Sequence, residues 1–214
     1  MTRNRFFTSD HHFGHANILN YEDEMRRDAH GERFSSVNMM DDYLVDQWNA
    51  TVAQGDVVYC LGDFCYKFQP MCDVLPFLNG EKILITGNHD PFFKKLILGD
   101  VHSKASVRAL ALQAGFSEIY LHHTITLPGI GTVQLSHFPY APRDTKGLPD
   151  YELRYLEHRP ARRAEKLLLH GHVHSEWLTN TYAGLPPMLN IGVDMWGMRP
   201  VSEAEIVEKF RGLL

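Results

Sequence analysis

Short apolar runs alternate along this chain with segments in which apolar residues recur every three or four positions. Runs rich in β-branched and aromatic residues are typical of buried strands, whereas the longer spacing is typical of helices with one buried face. The apolar runs predict strands at residues 5–9, 57–61, 82–86, 119–122, 132–136, 166–170 and 188–193. The strands are short and well separated, which leaves room for helices between the early ones.

Helical spacing is most regular over residues 36–53, where Leu44 and Trp48 would lie on one buried face. Weaker helical patterns cover residues 71–78, 105–114 and 151–157. A last helix is predicted to begin after Ser202, because Ser202 and Glu205 have the spacing of a capping box.

The order of these elements predicts an α/β protein with mixed sheets. Strands that are separated by helices, as in the first half of the chain, are usually paired in parallel. Residues 121–136 instead predict an antiparallel hairpin, because Pro128-Gly129 stands between two strand patterns. No internal repeat, low-complexity segment or linker interrupts the sequence, so a single domain over residues 1–214 is predicted.

The composition is that of an ordinary globular protein, with 44% apolar and 22% charged residues. The net charge of −5 argues against a protein that coats nucleic acid by bulk charge, although it permits a local basic patch. The chain shows no signal-peptide pattern and no apolar stretch of the ~18 residues that cross a bilayer. A cytoplasmic protein without membrane contact is therefore expected. The cysteines Cys60, Cys65 and Cys72 fit reduced thiols better than a disulfide framework.

Thirteen histidines are many for 214 residues, and several of them follow predicted strands together with Asp or Asn. Five such polar clusters can be recognised. Their members are Asp10 with His12, Asp63, Asn88 with His89 and Asp90, His137, and His172 with His174. Ligands of open α/β sheets bind outside the carboxyl ends of the strands, so the five clusters are expected to converge at one edge.

The chemistry of this set favours a pair of divalent metal ions. The candidate ligands are Asp10, His12, Asp63, Asn88, His137, His172 and His174. They offer carboxylate, imidazole and amide groups without a thiolate, which is too many ligands for one four-coordinate zinc and unlike a structural zinc site. Mixed nitrogen and oxygen ligands suit two ions of intermediate hardness, such as manganese, iron or zinc. Two such ions about 3.5–4 Å apart promote displacement at phosphorus.

The clusters resemble, in order, the five signature blocks of the calcineurin-like metallophosphoesterases. The blocks are Asp10-x-His12, Gly62-Asp63, Gly87-Asn88-His89-Asp90, a lone His137 and Gly171-His172-x-His174. The match extends from near residue 5 to near residue 194, and five blocks in order are far more specific than any one of them. The resemblance is to small members of bacterial or phage type. It implies an α/β fold that is a four-layer α/β/β/α sandwich with mixed β-sheets, with the metal site at the carboxyl ends of the central strands.

The resemblance also implies a role for each residue of the set. By position, Asp10, His12 and His174 would bind the first metal, Asn88, His137 and His172 the second, and Asp63 both. The implied activity is hydrolysis, in which a metal-bridging hydroxide attacks phosphorus in line and His89 acts as the general acid on the leaving oxygen. Two divalent ions are the implied cofactors, with Mn²⁺ favoured and Fe, Zn, Ni or Co as alternatives.

One block departs from the pattern of the protein phosphatases in this superfamily. Those enzymes continue the second block as G-D-x-x-D-R, whereas this chain has Tyr66 and Lys67 at the last two positions. Tyr66 cannot orient the catalytic histidine as a carboxylate does, and Lys67 is a weaker bidentate phosphate clamp than arginine. A protein phosphatase is therefore disfavoured, and Asp90 becomes a candidate for orienting His89. The candidate substrate contacts are His15, Lys67 and Asp90.

The preferred hypothesis is a phosphodiesterase whose substrates are nucleotides or nucleic acids, including single strands. Two alternatives stay open, namely a phosphomonoesterase acting on small substrates and a metal-stabilised module that binds nucleotides or nucleic acid without turnover. The module is favoured by Arg26, Arg27 and Arg33 and by a basic segment at residues 138–163. The basic residues of that segment are Arg143, Lys146, Arg154, Arg159, Arg162 and Arg163. A solvated surface loop explains the same segment equally well.

Further residues near the clusters are assigned to packing or support. His11 would point away from its two neighbours, because alternate residues of an extended segment face opposite sides. His170 and Asp194 are candidates for hydrogen bonding to a ligand. His122 and His123 are predicted to be structural.

Overall fold

The computed structural model of the chain describes residues 3–142, 144–148, 150–153, 155–161 and 164–213, and it is an α/β structure with two mixed sheets. The strands are β1 (Arg5–Thr8), β2 (Val57–Cys60), β3 (Glu81–Ile85), β4 (Glu118–Tyr120), β5 (His122–Leu127), β6 (Gly131–Ser136), β7 (Leu167–His170), β8 (Thr179–Asn180), β9 (Met188–Asn190) and β10 (Val201–Ser202). The helices are α1 (Ile18–Tyr21), α2 (Val37–Thr51), α3 (Phe68–Val74), α4 (Phe93–Leu98), α5 (Val101–Ala114), α6 (Asp150–Leu153) and α7 (Glu203–Arg211). Short 3₁₀ turns occupy Leu75–Phe77, Leu156–His158 and Val193–Met195.

The strands form two sheets of mixed direction. In the first sheet the order is β10-β1-β2-β3-β4, in which β1 to β4 are parallel and β10 is antiparallel to β1. In the second sheet the order is β5-β6-β7-β9-β8, in which β6, β7 and β9 are parallel and both edge strands are antiparallel. The predicted α/β class with mixed sheets and the predicted β5–β6 hairpin are confirmed.

The two sheets face each other across an apolar layer. Successive residues of a strand point to opposite faces, so Phe7 of β1 enters this layer while Phe6 enters the layer on the other side of the sheet. Phe7 of β1 and Leu61, which directly follows β2, share the layer with Leu135 and Leu169 from the second sheet, and all four are fully buried. Burying a side chain of this size is worth about 1.5–3 kcal/mol. This apolar layer therefore fixes the positions of the strand ends of the two sheets relative to each other.

Helices cover the outer face of the first sheet. Met40, Leu44 and Trp48 of α2 recur every four residues and form one buried stripe. Val107 of α5 belongs to the same apolar cluster. The helix α7 contacts β1 and β10, and its Ile206 closes one side of the layer between the sheets.

Irregular segments pack on the outer face of the second sheet in the part of the chain that the structure describes. Leu168 of β7 and Met188 of β9 form a small cluster there with Tyr140, Trp177 and Leu185. The three partners lie outside helices and strands.

Most predicted strands are found within one or two residues of their predicted ends, but two differ. The pattern at residues 119–122 is divided, since β4 ends at Tyr120 and β5 begins at His122 in the other sheet. The last predicted strand is shortened, because the Asn190 side-chain oxygen accepts the Gly192 N–H at 2.9 Å and turns the chain out of the sheet.

The helices were less completely predicted. Helix α5 begins at Val101, earlier than its apolar pattern indicates, because the Asp100 side chain accepts the Ser103 N–H at 2.8 Å as an N-cap. The elements α4, β8 and β10 were not predicted, since none is long enough to show a period. The predicted helix at 151–157 includes Arg154, which lies outside the described residues. No helix of the described residues combines the length and the apolar character that a membrane crossing requires.

The capping box at the start of α7 makes the stability of this helix pH-dependent. Glu205 accepts the Ser202 N–H at 2.8 Å and pairs with Arg199 at 2.6 Å. Hydrogen bonds from Arg199 and then Ser202 lower the pKa of Glu205 to about 2. A carboxylate with a lowered folded-state pKa contributes fully above its unfolded value of 4.5 and loses this contribution as the pH falls towards 2.

We therefore expect Glu205→Gln to destabilise the protein at pH 7 by about 0.2–1 kcal/mol, the range for partly exposed ion pairs. The difference from the wild type should shrink steadily below pH 4.5, because Glu205 is protonated there in the unfolded protein while it stays ionised in the folded protein down to about pH 2. Calorimetric melting between pH 7 and pH 3 measures it, with the exposed Glu208→Gln of the same helix as control. A difference of constant size over this range would contradict the prediction.

Candidate metal centre

Loops at the carboxyl ends of five strands meet at one edge of the two sheets. Asp10 and His12 follow β1, Asp63 follows β2, Asn88 and His89 follow β3, His137 follows β6, and His172 and His174 follow β7. The Asp10 N–H donates to the Gly62 carbonyl at 3.0 Å, and the Gly171 N–H donates to the His137 carbonyl at 3.0 Å. The Asp10 carboxylate also accepts the His172 N–H at 3.1 Å, which joins the two sheets. The structure thus brings the five clusters together.

Five of the seven predicted ligands have left-handed backbone conformations. Their φ angles are +59° at Asp10, +54° at His12, +50° at Asp63, +72° at His172 and +46° at His174. Among the other described residues that are not glycine, only Tyr155 and Met198 have positive φ angles. Residues with a Cβ avoid this region, and such strain persists mainly at sites that the surrounding structure over-determines. Its concentration at this edge supports a functional site.

Two glycines allow the loops to approach closely. A Cβ placed on Gly87 would lie 2.3 Å from Asp63 Oδ1, and one on Gly171 would lie 2.3 Å from Asp10 Oδ2. Non-bonded atoms are normally separated by about 3.5–4 Å, so only glycine permits these two carboxylates to lie where they do. The glycines of the G-N-H-D and G-H-x-H blocks therefore serve the geometry of the carboxylates.

Two overlapping groups of donor atoms are close enough to share a cation. One group contains Asp10, His12 and His174, and the other contains Asp10, Asp63 and His137, with ligand atoms within 4.8 Å of one another in each group. A third group, Glu22 with His174 and Asp194, meets the same distance but does not include Asp10. Asp63 Oδ2 lies 3.4 Å from His137 Nε2 and 3.7 Å from His12 Nε2. One carboxylate oxygen therefore stands between imidazoles of the two groups, where a bridging ligand would be needed. Asp10 is also shared by both groups, which the resemblance did not imply.

Asn88 and His172 stand beside His137. Asn88 Oδ1 is 3.1 Å from His137 Nε2, and the ring centroids of His137 and His172 are 5.2 Å apart. The Nε2 atoms of His12 and His172 are buried and lack hydrogen-bond partners within the described ranges. An unsatisfied buried polar atom costs about 1–3 kcal/mol, so these nitrogens fit the role of ligands to a cation. The full set of four imidazoles, two carboxylates and one amide also fits divalent ions.

Hydrogen bonds from the protein fix the orientation of two of these rings. His137 Nδ1 lies 2.8 Å from the Leu61 carbonyl oxygen, and His174 Nδ1 lies 2.8 Å from Asp194 Oδ2. When Nδ1–H donates to these oxygens, Nε2 is the nitrogen of each ring that can bind a cation once it has lost its proton. Metal-binding histidines are commonly held in this way by a carbonyl or carboxylate oxygen.

Protonated histidines balance the carboxylates of the centre. Burial alone would lower the pKa of His137 and His174, but Asp63 beside His137 and Asp194 beside His174 raise both pKa values to about 9. Although burial opposes it, the charge of His137 holds the pKa of Asp63 well below its usual range. Burial keeps His12 neutral by lowering its pKa. Ligands must be deprotonated, so binding of a cation would release the protons of His137 and His174.

His89 lies at the rim of the centre. Its backbone N–H donates to Asp63 Oδ1 at 2.8 Å. Its ring centroid is 5.4 Å from that of His12 and 5.9 Å from that of Tyr66. The residue is half-buried, so it faces both the centre and the solvent. Tyr66, which stands where protein phosphatases have a carboxylate, contacts His89 through its ring.

Asp90 supports the loop of Asp63 and does not face a substrate. Its carboxylate is buried and accepts the N–H groups of Gly87 at 2.8 Å, Asp63 at 3.0 Å and Phe64 at 2.8 Å. Burial, reinforced by the charge of Asp63, raises the pKa of Asp90 to about 7. The predictions that Asp90 contacts the substrate or orients the His89 ring are therefore corrected, because backbone amides occupy both of its oxygens.

Arg26 supports the centre from below, a role that the sequence does not indicate. Its buried guanidinium donates to Asp194 Oδ1 at 2.8 Å, to the His11 carbonyl at 2.8 Å and to the Asp10 carbonyl. One side chain thus holds both the loop of Asp10 and the carboxylate that orients His174. The assignment of Arg26 to a nucleic-acid surface is corrected, because the guanidinium is inside the protein.

Replacing Arg26 by methionine is expected to lower the free energy of unfolding by about 3–5 kcal/mol, because it breaks a buried ion pair and leaves the Asp194 carboxylate with His174 as its remaining cationic partner. Denaturation by urea measures this change. Arg33→Met is the matched control, since Arg33 is 69% exposed in its pair with Asp23 and should cost at most about 1 kcal/mol. Equal losses in the two variants would contradict the prediction.

The other two predicted substrate contacts lie on one side of the centre. His15 is half-buried, and its ring centroid is 5.6 Å from that of His12. Lys67 is exposed at the start of α3 and lines a recess together with His15 and Tyr66. Both residues are therefore near the centre but outside its donor groups.

Two of the remaining histidines are packed in the interior. His11 lies against Phe13 and Phe64, with ring centroids 5.4 Å and 5.2 Å away, as predicted for a packing residue. His170 is buried against Trp177 at 4.7 Å, and its Nδ1 is 2.8 Å from the carbonyl oxygen of the next residue. Neither ring belongs to the donor groups found among the described residues.

The basic surface expected of a nucleic-acid module is described only in part. The residues Arg143, Arg154, Arg162 and Arg163 lie outside the described residues. Arg159 is buried and donates to the Tyr140 carbonyl at 3.1 Å. Arg27 and Arg33 both pair with Asp23. Arg159 is thus inside the fold and does not contribute to such a surface, whereas Arg33 stays largely exposed in its ion pair.

Comparisons with known proteins give relatives whose names state no activity. No family model matches the chain. The chain is 31% identical over 208 residues to the gene 66 protein of Mycobacterium phage D29, covering 90% of this chain and 89% of that protein. It is 38% identical over 96 residues to the uncharacterized protein MJ1445 of Methanocaldococcus jannaschii, a match that spans 44% of this chain and only 50% of that protein. The crystal structure of AQ665 from Aquifex aeolicus, a protein of unknown function, is similar with a TM-score of 0.61 and 27% identity over 97% of this chain and 99% of that one.

Proposed function

This chain belongs to the family of the phage D29 gene 66 protein, and we infer its function from its candidate metal centre. We propose that it is a hydrolase of the metallophosphoesterase class, with phosphodiesters of nucleotides or nucleic acids as favoured substrates. One observation carries the proposal: buried imidazole nitrogens without partners among the described residues stand beside two carboxylates where five strand ends meet. We also propose that the two mixed sheets and their helices belong to the calcineurin-like α/β/β/α arrangement.

Seven side chains would hold two divalent cations, with Mn²⁺ favoured and Fe, Zn, Ni or Co as alternatives. Asp10, His12 and His174 would bind one cation, Asn88, His137 and His172 the other, and Asp63 both. When bound, such a pair lowers the pKa of a water molecule and offsets the charge of phosphoryl oxygens. The donor set supports this assignment, since imidazole, carboxylate and amide oxygen suit ions of intermediate hardness.

The chain itself would supply the proton and the positioning. His89 would hold a proton on an imidazole nitrogen and donate it to the leaving oxygen of the ester. Support for this role comes from its place beside both donor groups without membership of either. The bond between Asp194 and His174, reinforced by Arg26, would keep the His174 ring directed at the centre.

The test combines metal content with turnover on one sample. Protein loaded with Mn²⁺ is expected to bind about two ions per chain and to hydrolyse bis-p-nitrophenyl phosphate faster than p-nitrophenyl phosphate. Turnover of the monoester alone would favour the phosphomonoesterase alternative. Metal binding without turnover of either ester would favour the binding module, and the absence of both would contradict every form of the proposal.

A further inference from the structure

Two exposed tyrosines stand at the rim of the candidate metal centre. Tyr21 is 70% exposed and Tyr66 is 58% exposed, and the other tyrosine side chains that the structure describes are buried or half-buried. Single exposed apolar residues are common on proteins. Two aromatic rings at the same edge of a site, however, leave apolar surface in contact with water that a bound ligand would cover. Their exposure therefore points to a ligand.

Ring contacts connect these tyrosines to the centre through His15. The centroid of His15 is 6.4 Å from that of Tyr66, with the planes within 20° of each other, and 6.5 Å from that of Tyr21. The ring centroid of Tyr66 is 5.9 Å from that of His89, and the ring centroid of His15 is 5.6 Å from that of His12. Tyr21, His15 and Tyr66 thus form an aromatic shelf that ends at the proposed proton donor.

A recess of about 280 Å³ opens beside this shelf. At about 30 Å³ per water molecule, it has the volume of about nine waters, which suits one nucleobase and not an extended chain. Its lining includes Phe13, His15, Cys65, Tyr66, Lys67 and Pro70. Apart from the Lys67 ammonium, the lining side chains are apolar or aromatic, so the recess matches a flat ring with a charged group beside it.

We propose that the recess binds the nucleobase of a nucleotide ester, with the base stacked on Tyr66 and its phosphate directed to the metal centre. The recess adjoins Tyr66, and Tyr66 contacts His89, so one nucleotide can reach both places. Every base has an aromatic face, so stacking predicts a preference for nucleotides with little preference among bases. The substrate class follows from the proposed phosphoesterase function, whereas the binding of the base does not depend on turnover.

The test compares two ligands that differ by the nucleoside. Thymidine 5′-monophosphate and methyl phosphate are titrated into the Mn²⁺-loaded protein, and the ratio of their affinities is measured by calorimetry. Tyr66→Ala is expected to reduce this ratio about 5- to 150-fold, the effect of losing one stacked base. Tyr66→Phe keeps the ring and should keep the ratio. Phe77→Ala removes an aromatic ring that is 71% exposed elsewhere and is the control.

An unchanged ratio in Tyr66→Ala, whether both affinities stay the same or fall equally, would overturn the inference, as would no binding of the nucleotide by the wild type. A protein that binds the nucleotide through Tyr66 but hydrolyses no ester would refute the phosphoesterase and retain this site. Titration with oligothymidylate shows whether the bound base belongs to a free nucleotide or to the end of a strand. Tighter binding than the mononucleotide indicates strand ends and equal binding indicates free nucleotides, and either result supports the inference if Tyr66→Ala weakens it.

Discussion

Asp63→Asn is expected to slow hydrolysis of bis-p-nitrophenyl phosphate by about a thousandfold or more and to reduce the bound Mn²⁺. Asp63 Oδ2 lies between His12 Nε2 and His137 Nε2, so it is the carboxylate oxygen that both cations would share. Metal ions contribute several kcal/mol to stabilising charge in the transition state, and each 1.4 kcal/mol is a factor of ten in rate. Asparagine keeps the side-chain volume and the oxygen that accepts the His89 N–H.

The two measurements are the rate at saturating Mn²⁺ and the metal content by atomic absorption, with circular dichroism to show that the variant is folded. Asp46→Asn makes the same change from carboxylate to amide at an exposed position of α2 and should behave as the wild type. If Asp63→Asn retained wild-type turnover and metal content, neither the bridging role nor the proposed metal centre would stand.

His89→Ala is expected to reduce the rate about 10²- to 10⁴-fold for esters with a poorly leaving alkoxide, such as a thymidine dinucleotide. The same variant should lose much less on bis-p-nitrophenyl phosphate, because p-nitrophenolate leaves without being protonated. Bound Mn²⁺ should be unchanged, since His89 belongs to neither donor group and contacts the centre by its ring and its backbone N–H.

Rates of both esters, measured with the metal content on the same samples, decide this assignment. His102→Ala removes an exposed histidine on α5 and is the control for loss of an imidazole. Equal losses on the two esters would assign His89 to binding and not to proton transfer. Full activity on the dinucleotide would show that His89 takes no part in the reaction.

Much of the fold was predictable because its strands are short, apolar and separate. The pattern around Val57–Cys60 and Leu167–His170 differs from that of the polar loops on either side, so both strands were located within a residue or two. The division between β4 and β5 was not predictable. Residues on both sides of Leu121 favour strands, and only the packing of two sheets decides that the chain changes sheet there.

The candidate ligands were predictable for a similar reason. Each follows a strand pattern, and Asp, Asn and His are among the side chains that hold divalent ions. The residues that support them were not. Arg26 pairs with Asp194, 168 positions further along the chain, and a polar local sequence gives no sign that an arginine will be buried. Asp90 has the chemistry of a ligand, yet backbone amides occupy its carboxylate.

By itself, the sequence determined most of the longer strands and helices, the end of the strands that carries the reactive side chains and the chemistry that those side chains offer, because these depend on local patterns and residue types. Only the tertiary structure decided which carboxylate lies between the imidazoles, which buried nitrogens lack a partner among the described residues and which aromatic rings stay exposed beside the centre. These properties depend on distances between residues far apart in the chain, and such distances follow from the packing of the two sheets and not from any one segment.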